Sequence, residues 1–142
     1  MAFAKIKEYL LSKQQDKLVY RFISEREKRA IEANDLSKIG RTWNSNTFGN
    51  NHKYKQNTRY IHFFDNKNDA KLLYKELGFS KEYLCTYSIP AKILKKHQGN
   101  GYYMVKGYEI VDTVKEYAIP SDEFDLKWVD SIMPITDFVK GA

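Results

Sequence analysis

Six short runs rich in β-branched and aromatic residues, one of them (101–111) readable as a strand or a hairpin, constrain this 142-residue chain most. They are "KLVYRFI" (17–23), "RYIHFF" (59–64), "EYLCTYSIP" (82–90), "GYYMVKGYEIV" (101–111), "VKEYAIP" (114–120) and "LKWVDSIMPI" (126–135). Runs of this length and composition favour strands. They crowd into the second half of the chain and do not alternate regularly with helical segments. The pattern is therefore α+β, with a largely antiparallel or split mixed sheet instead of a doubly wound one.

Helical signals fill part of the remainder. Ser24 and Glu27 have capping-box spacing: the serine hydroxyl can accept an orphan N–H and the glutamate can reach back, so a helix is expected to end near Asn34. In "DNKNDAKLLYKELGF", Ala70, Leu73, Tyr74 and Leu77 recur at helical spacing and define one buried face, with Gly78 as the expected C-cap. Pro90 opens a short helix, "AKILKKH". Phe3, Ile6 and Leu10 give residues 1–15 an amphipathic pattern, read as a helix packed on the rest of the domain. Residues 40–58, rich in Asn and Gly, follow no period and are expected to form a long loop, either a lid or binding loop or a mere insertion. With no repeat or linker, residues 1–142 are expected to form a single domain.

Composition narrows the classes. A chain that is 42% hydrophobic and 15% aromatic is globular, not disordered. The single cysteine, Cys85, rules out an internal disulfide framework and, within an apolar run, is expected to be a core thiol. No apolar run is long enough to span a bilayer, and charges interrupt the N-terminal segment, so no signal peptide is read and a cytoplasmic location is expected. The formal charge of +6 attracts polyanions, yet the lysines are dispersed. No zinc finger, Walker loop, RNP motif or dinucleotide fingerprint occurs. His52 and His97 fall in loops without ligand spacing, so no metal is expected.

Three strands carry a polar residue: Arg21 in "YRFISEREK", His62 in "RYIHFFDNKNDAKLLY" and Glu116 in "KEYAIP". In order and content these segments resemble the ADP-ribosyltransferase family. There a first strand ends in Arg or His before a helix, a middle aromatic strand runs into a helix, and a late strand presents a glutamate before aromatic and apolar residues and a proline. The resemblance covers residues 17 to about 135. It implies two facing, mostly antiparallel or split sheets with short flanking helices around an NAD cleft. It also implies transfer of ADP-ribose to an acceptor protein or nucleic acid, with NAD as co-substrate.

Under that resemblance Glu116 would be the catalytic carboxylate, stabilising the oxocarbenium character that develops on the ribose as the nicotinamide bond breaks. Arg21 would bind the pyrophosphate or adjoining ribose, and His62 a ribose or amide. Phe64 and Tyr74, ten apart, would sandwich the nicotinamide. All three strand side chains should then line one cleft. Structural roles stand beside these: an outward strand residue for Glu116, a salt bridge for Arg21, a satisfied histidine for His62 and a core role for Tyr74. Phe63 and Phe64 cannot both face one way, so at least one belongs to the core.

Members of the family that modify arginine usually carry a second acid two residues before the glutamate. Val114 stands there, which disfavours arginine as acceptor. Glu123, past the proline, is an alternative acid in a turn. A relative with the same fold, the RNA 2′-phosphotransferase, typically has more basic and histidine residues in its motifs. The competing reading is a non-enzymatic module gripping single-stranded nucleic acid through Tyr54, Tyr60, Tyr102, Tyr103 and Tyr108, or a host-interaction protein.

Overall fold

A computed structural model describes residues 16–42, 58–77, 81–106 and 109–140. The expected helix over 1–15, the expected C-cap Gly78, and residues 43–57 of the expected loop lie outside them. The strands are β1 (Asp16–Ile23), β2 (Arg41–Thr42), β3 (Arg59–Phe64), β4 (Tyr83–Pro90), β5 (Gln98–Lys106), β6 (Glu109–Pro120) and β7 (Val129–Pro134). The helices are α1 (Glu25–Glu32), α2 (Lys67–Leu77), α3 (Ala91–Lys96) and α4 (Ile135–Lys140). The runs at 17–23, 59–64 and 82–90 form strands near their expected bounds, whereas "GYYMVKGYEIV" is divided between β5 and β6, "VKEYAIP" is the end of β6 and not a separate strand, and only 129–134 of the last run is a strand. The loop expected from residue 40 begins with the two-residue β2, and α4 ends what was read as a terminal strand.

The strands form one sheet in the order β5-β6-β3-β1-β4-β7, with β2 against β3, and every pairing is antiparallel. The α+β reading therefore holds, but two separate facing sheets do not form among the described residues. The reason is a joint. β1 pairs with β4 along all its residues, from Asp16↔Pro90 to Ile23↔Tyr83, whereas β1 and β3 share a single register pair, Tyr20↔Phe64. Two three-strand halves, β5-β6-β3 and β1-β4-β7, meet at that one point. Where the resemblance implies two facing sheets, the described residues form one sheet with a narrow seam.

Period-two alternation sorts the side chains onto two faces. The large-core face holds Val19 and Ile23 of β1, Ile61 and Phe63 of β3, Cys85, Tyr87 and Ile89 of β4, and Tyr117 and Ile119 of β6. Ala30 of α1, Ile39, Leu94 of α3 and Phe124 close over it. The small-core face holds Phe22 and Leu84, covered by Ala70 of α2 and by Ile135 and Phe138 of α4, with Tyr20, Phe64 and Tyr74 partly buried at its margin. Phe63 and Phe64 do part, one to each face.

Local chemistry explains the helix starts. Ser24 is the N-cap of α1, and its hydroxyl accepts the Glu27 N–H at 3.2 Å. Asn66 accepts the Asn68 N–H at 2.7 Å ahead of α2. Gly40 has a positive φ of 80°, and a Cβ there would lie 2.6 Å from the Tyr60 carbonyl oxygen. Only glycine lets the chain enter β2 this close to β3.

Candidate functional site

Register links across the sheet give a row on the small-core face: Gly99 (β5), Glu116 (β6), Phe64 (β3), Tyr20 (β1), Thr86 (β4) and Ser131 (β7). Glu116 is half-buried, directly beside Phe64 on one side and a glycine without a side chain on the other. Phe64 and Tyr20 form the pair that joins the two halves of the sheet. The carboxylate thus stands one strand from the joint, among half-buried rings. His62 lies one row further along the same face, opposite Ala118. Glu116, His62 and Phe64 are therefore brought together.

Arg21 is not among them. It pairs with Cys85 in register and faces the large core, on the side of the sheet opposite Glu116. The expectation that Arg21, His62 and Glu116 line one cleft fails. Parity is the cause: Arg21 is in phase with Val19 and Ile23, whereas Glu116 is in register with Phe64 and Tyr20. The guanidinium is also fully engaged. Its Nε donates to Glu27 Oε2 at 2.8 Å, one terminal nitrogen to Glu27 Oε1 at 2.9 Å, and the other to the His62 carbonyl at 3.2 Å. Burial works against the charge, but the Glu27 hydrogen bond and the Glu27 charge outweigh it and raise the pKa further. Such a bidentate pair leaves no fork for a phosphate. The salt-bridge alternative for Arg21 is the one realised. The capping box is half realised: Ser24 caps the helix, but the Glu27 carboxylate turns to Arg21.

Phe64 and Tyr74 do share a face, as expected for a ring-binding pair, yet no slot separates them. Phe22 lies between, its ring centroid 5.7 Å from Phe64 and 5.6 Å from Tyr74. The position foreseen for a nicotinamide is filled by a core ring, and Tyr74 takes its core role. The partly buried margin of the cluster is shared by Tyr20, Phe64, Tyr74, Met133 and Val139, of which Tyr20 and Phe64 lie in the row of Glu116.

The other ionisable clusters are structural in form. Cys85 is fully buried, and desolvation pushes its thiol up to about 12, so it is not a nucleophile. Burial likewise raises Tyr87, whose hydroxyl lies nearby. Tyr117 donates to Asp65, which also receives Lys17 at 3.3 Å, and burial then this hydrogen bond raise the phenol. Glu123 lies in the turn after β6, paired with Lys96 at 2.8 Å and with His97 at 3.0 Å. It is thus committed to α3, away from the row.

The nucleic-acid reading loses its platform in part. Tyr60 is 1% exposed and cannot stack a base. Tyr54 and Tyr108 lie outside the described residues, and Tyr102 and Tyr103 are placed in β5 by backbone register only. Of the 24 Lys and Arg residues, five fall in segments 1–15 and 43–57, against one of the 18 acids, so the remaining chain is close to charge balance. No helix among the described residues is long and apolar enough to cross a membrane.

Sequence reasoning missed Tyr20 and Glu27. Both had signals. Tyr20 is out of phase with the apolar pair Val19 and Ile23 that the large core requires, and Glu27 lies six residues from the only cation in β1's interior.

Comparison of the chain with family models, curated proteins and solved structures finds no match.

Proposed function

We propose that the chain transfers ADP-ribose from NAD to a macromolecular acceptor, with Glu116 as the catalytic carboxylate. One observation carries this reading: Glu116 shares a cross-strand row with Phe64 and Tyr20, the pair at which the two halves of the sheet meet. The three strands with motif-like segments also lie side by side, as β6-β3-β1. The seam between β1 and β3 is then the NAD cleft of an ADP-ribosyltransferase-like fold, drawn closed where the family has two sheets.

In that reaction the nicotinamide–ribose C–N bond breaks and its electron pair leaves with the ring nitrogen. Positive charge spreads over C1′ and the ring oxygen of the ribose. The Glu116 carboxylate stabilises that charge and accepts a ribose hydroxyl hydrogen bond. An acceptor nucleophile then bonds to C1′ and gives up its proton. The rings of Phe64 and Tyr20 supply flat apolar surface for the nicotinamide, with Tyr74 supporting through Phe22. His62, on the same face, holds a ribose hydroxyl. The pyrophosphate is not assigned to Arg21.

The test is incubation with labelled NAD and a cell lysate, with Glu116→Gln in parallel. Gln keeps the shape and hydrogen bonding and loses the charge. We expect label transfer and nicotinamide release to fall by roughly a hundredfold to a thousandfold, with NAD binding little changed. Equal activity in the two proteins would remove Glu116 from the chemistry. A salt-sensitive association with single-stranded nucleic acid, without NAD turnover, would favour the binding module instead.

A further inference from the structure

We propose that Arg21 and Glu27 form a positioning pair that sets the spacing of β1 and β3 beneath the small-core face. The inference rests on the transferase reading for its effect on turnover, but not for the geometry itself. Asp65 N–H donates to the Lys115 carbonyl on the β6 side, so alternation turns the backbone groups of the even residues of β3 toward β1. Those residues meet three different partners in succession. Phe64 pairs with Tyr20, the His62 carbonyl receives the Arg21 guanidinium, and Tyr60 pairs with Arg41 of β2. Continued register would place Phe22 opposite His62. The strands part before that, and a side chain takes the carbonyl that a strand would otherwise satisfy.

The guanidinium is itself fixed. Glu27 holds it with two bonds, and Glu27 is carried by α1, whose first turn is capped by Ser24 immediately after β1. The pair therefore ties α1, β1 and β3 together where β1 and β3 share a single register pair. On the opposite face of the same strands stand Tyr20, Phe22, His62 and Phe64. A change in the separation of β1 and β3 moves Tyr20 relative to Phe64 and Glu116. A buried fork with two fixed partners resists that change in a way a hydrophobic contact does not.

The test uses the full chain with the double substitution Arg21→Met and Glu27→Leu. A single Arg21 substitution would leave a buried carboxylate unpaired and strongly destabilise the protein. Replacing both members by apolar residues of similar volume is commonly tolerated. We expect the double variant to fold cooperatively with a denaturation midpoint close to that of the unaltered protein. Amide exchange at residues 62–64 should accelerate by about tenfold or more, while β4 keeps its protection. Nicotinamide release should fall by up to about a hundredfold in kcat/KM, with KM for NAD raised, because misplacement by an ångström is enough to do so. Unchanged exchange at 62–64 overturns the brace. A loosened seam with unchanged turnover overturns the positioning role, as does loss of cooperative folding in the double variant. If the unaltered protein releases no nicotinamide, the transferase reading falls and the exchange result alone decides whether the pair sets the seam.

Discussion

The two faces of the sheet are built from the same strands yet differ in how their polar groups are settled. On the large-core face every strand from β6 to β4 contributes buried apolar residues, and the buried Arg21–Glu27 ion pair is bidentate and closed. On the small-core face the apolar cluster is narrower, its marginal rings are half-buried, and a carboxylate stands in the row beside them. A charge on the first face is consumed by the fold. A charge on the second face stands half-buried beside the marginal rings. The residue type says little about which: Arg21 and Glu116 both look like ligand-binding residues in a strand, and parity separates them.

The largest effect expected from this contrast is at Glu27. Glu27→Ala leaves the Arg21 guanidinium buried with only the His62 carbonyl for company. Breaking one partner of a buried pair costs about 3–5 kcal/mol. Both side chains are well shielded, 17% and 11% exposed, so solvent does little to soften the loss. Urea denaturation should show the midpoint falling sharply with little change in slope. A loss below about 1 kcal/mol, the range of exposed pairs, would mean the pair is open to water and the first face is not closed.

The neighbours Phe63 and Phe64 sharpen the comparison, since one residue separates the faces. Phe63→Ala removes a ring that packs at 5.0 Å on Tyr87 and 5.9 Å on Phe124 and should cost about 3–5 kcal/mol. Phe64→Ala should cost about half of that, because its ring is already partly in water. Its effect on NAD affinity should be the larger of the two once stability is allowed for, measured by titration well below the melting temperature. Equal stability losses would erase the distinction between a closed core and an accessible margin.

Much of the fold was legible because strands here announce themselves by composition. "RYIHFF" coincides with β3, "EYLCTYSIP" runs one residue ahead of β4, and Ser24 marked the start of α1. The terminal helix α4 was not legible: "ITDFVK" is too short for periodicity to speak, and its existence depends on Ile135 and Phe138 finding Phe22 and Leu84 across the small-core face. Which strands carry polar residues was legible in the sequence, and how those residues are grouped was not. That "YRFI" lies in a strand follows from local sequence, but which of Tyr20 and Arg21 shares a face with Glu116 depends on the register of β1 with β3 and of β3 with β6. Register is a long-range property, and a slip of one residue would exchange the two answers. The place taken by Phe22 between Phe64 and Tyr74 is likewise a tertiary fact, since the ten-residue spacing says nothing about a third ring arriving from β1.

The smallest effect concerns a charge that belongs to neither face. Glu123, just after β6, is tied to Lys96 and His97 of the α3 end, and Ala118 donates its N–H to the His97 carbonyl at 3.1 Å. These contacts close the base of the β5–β6 ribbon that carries Glu116. The Lys96 hydrogen bond is the main influence on the Glu123 carboxyl; burial opposes it, the His97 bond adds to it, and the net pKa is lowered. A carboxyl lowered in the folded state binds its proton less readily there than in the unfolded chain. Its contribution is therefore complete above the unfolded pKa of about 4.3 and disappears as pH falls through the lower folded value. Lys96 is largely exposed, so screening keeps the contribution below about 1 kcal/mol. Glu123→Gln should accordingly lower the melting temperature slightly at pH 6, and the gap from the unaltered protein should close as pH falls through the lowered folded-state pKa. Raising salt should narrow the gap at pH 6 as well. A gap that stays constant from pH 6 to pH 2 would assign the effect to packing of the turn instead of to charge. The base of the Glu116 strand would then be held by shape alone.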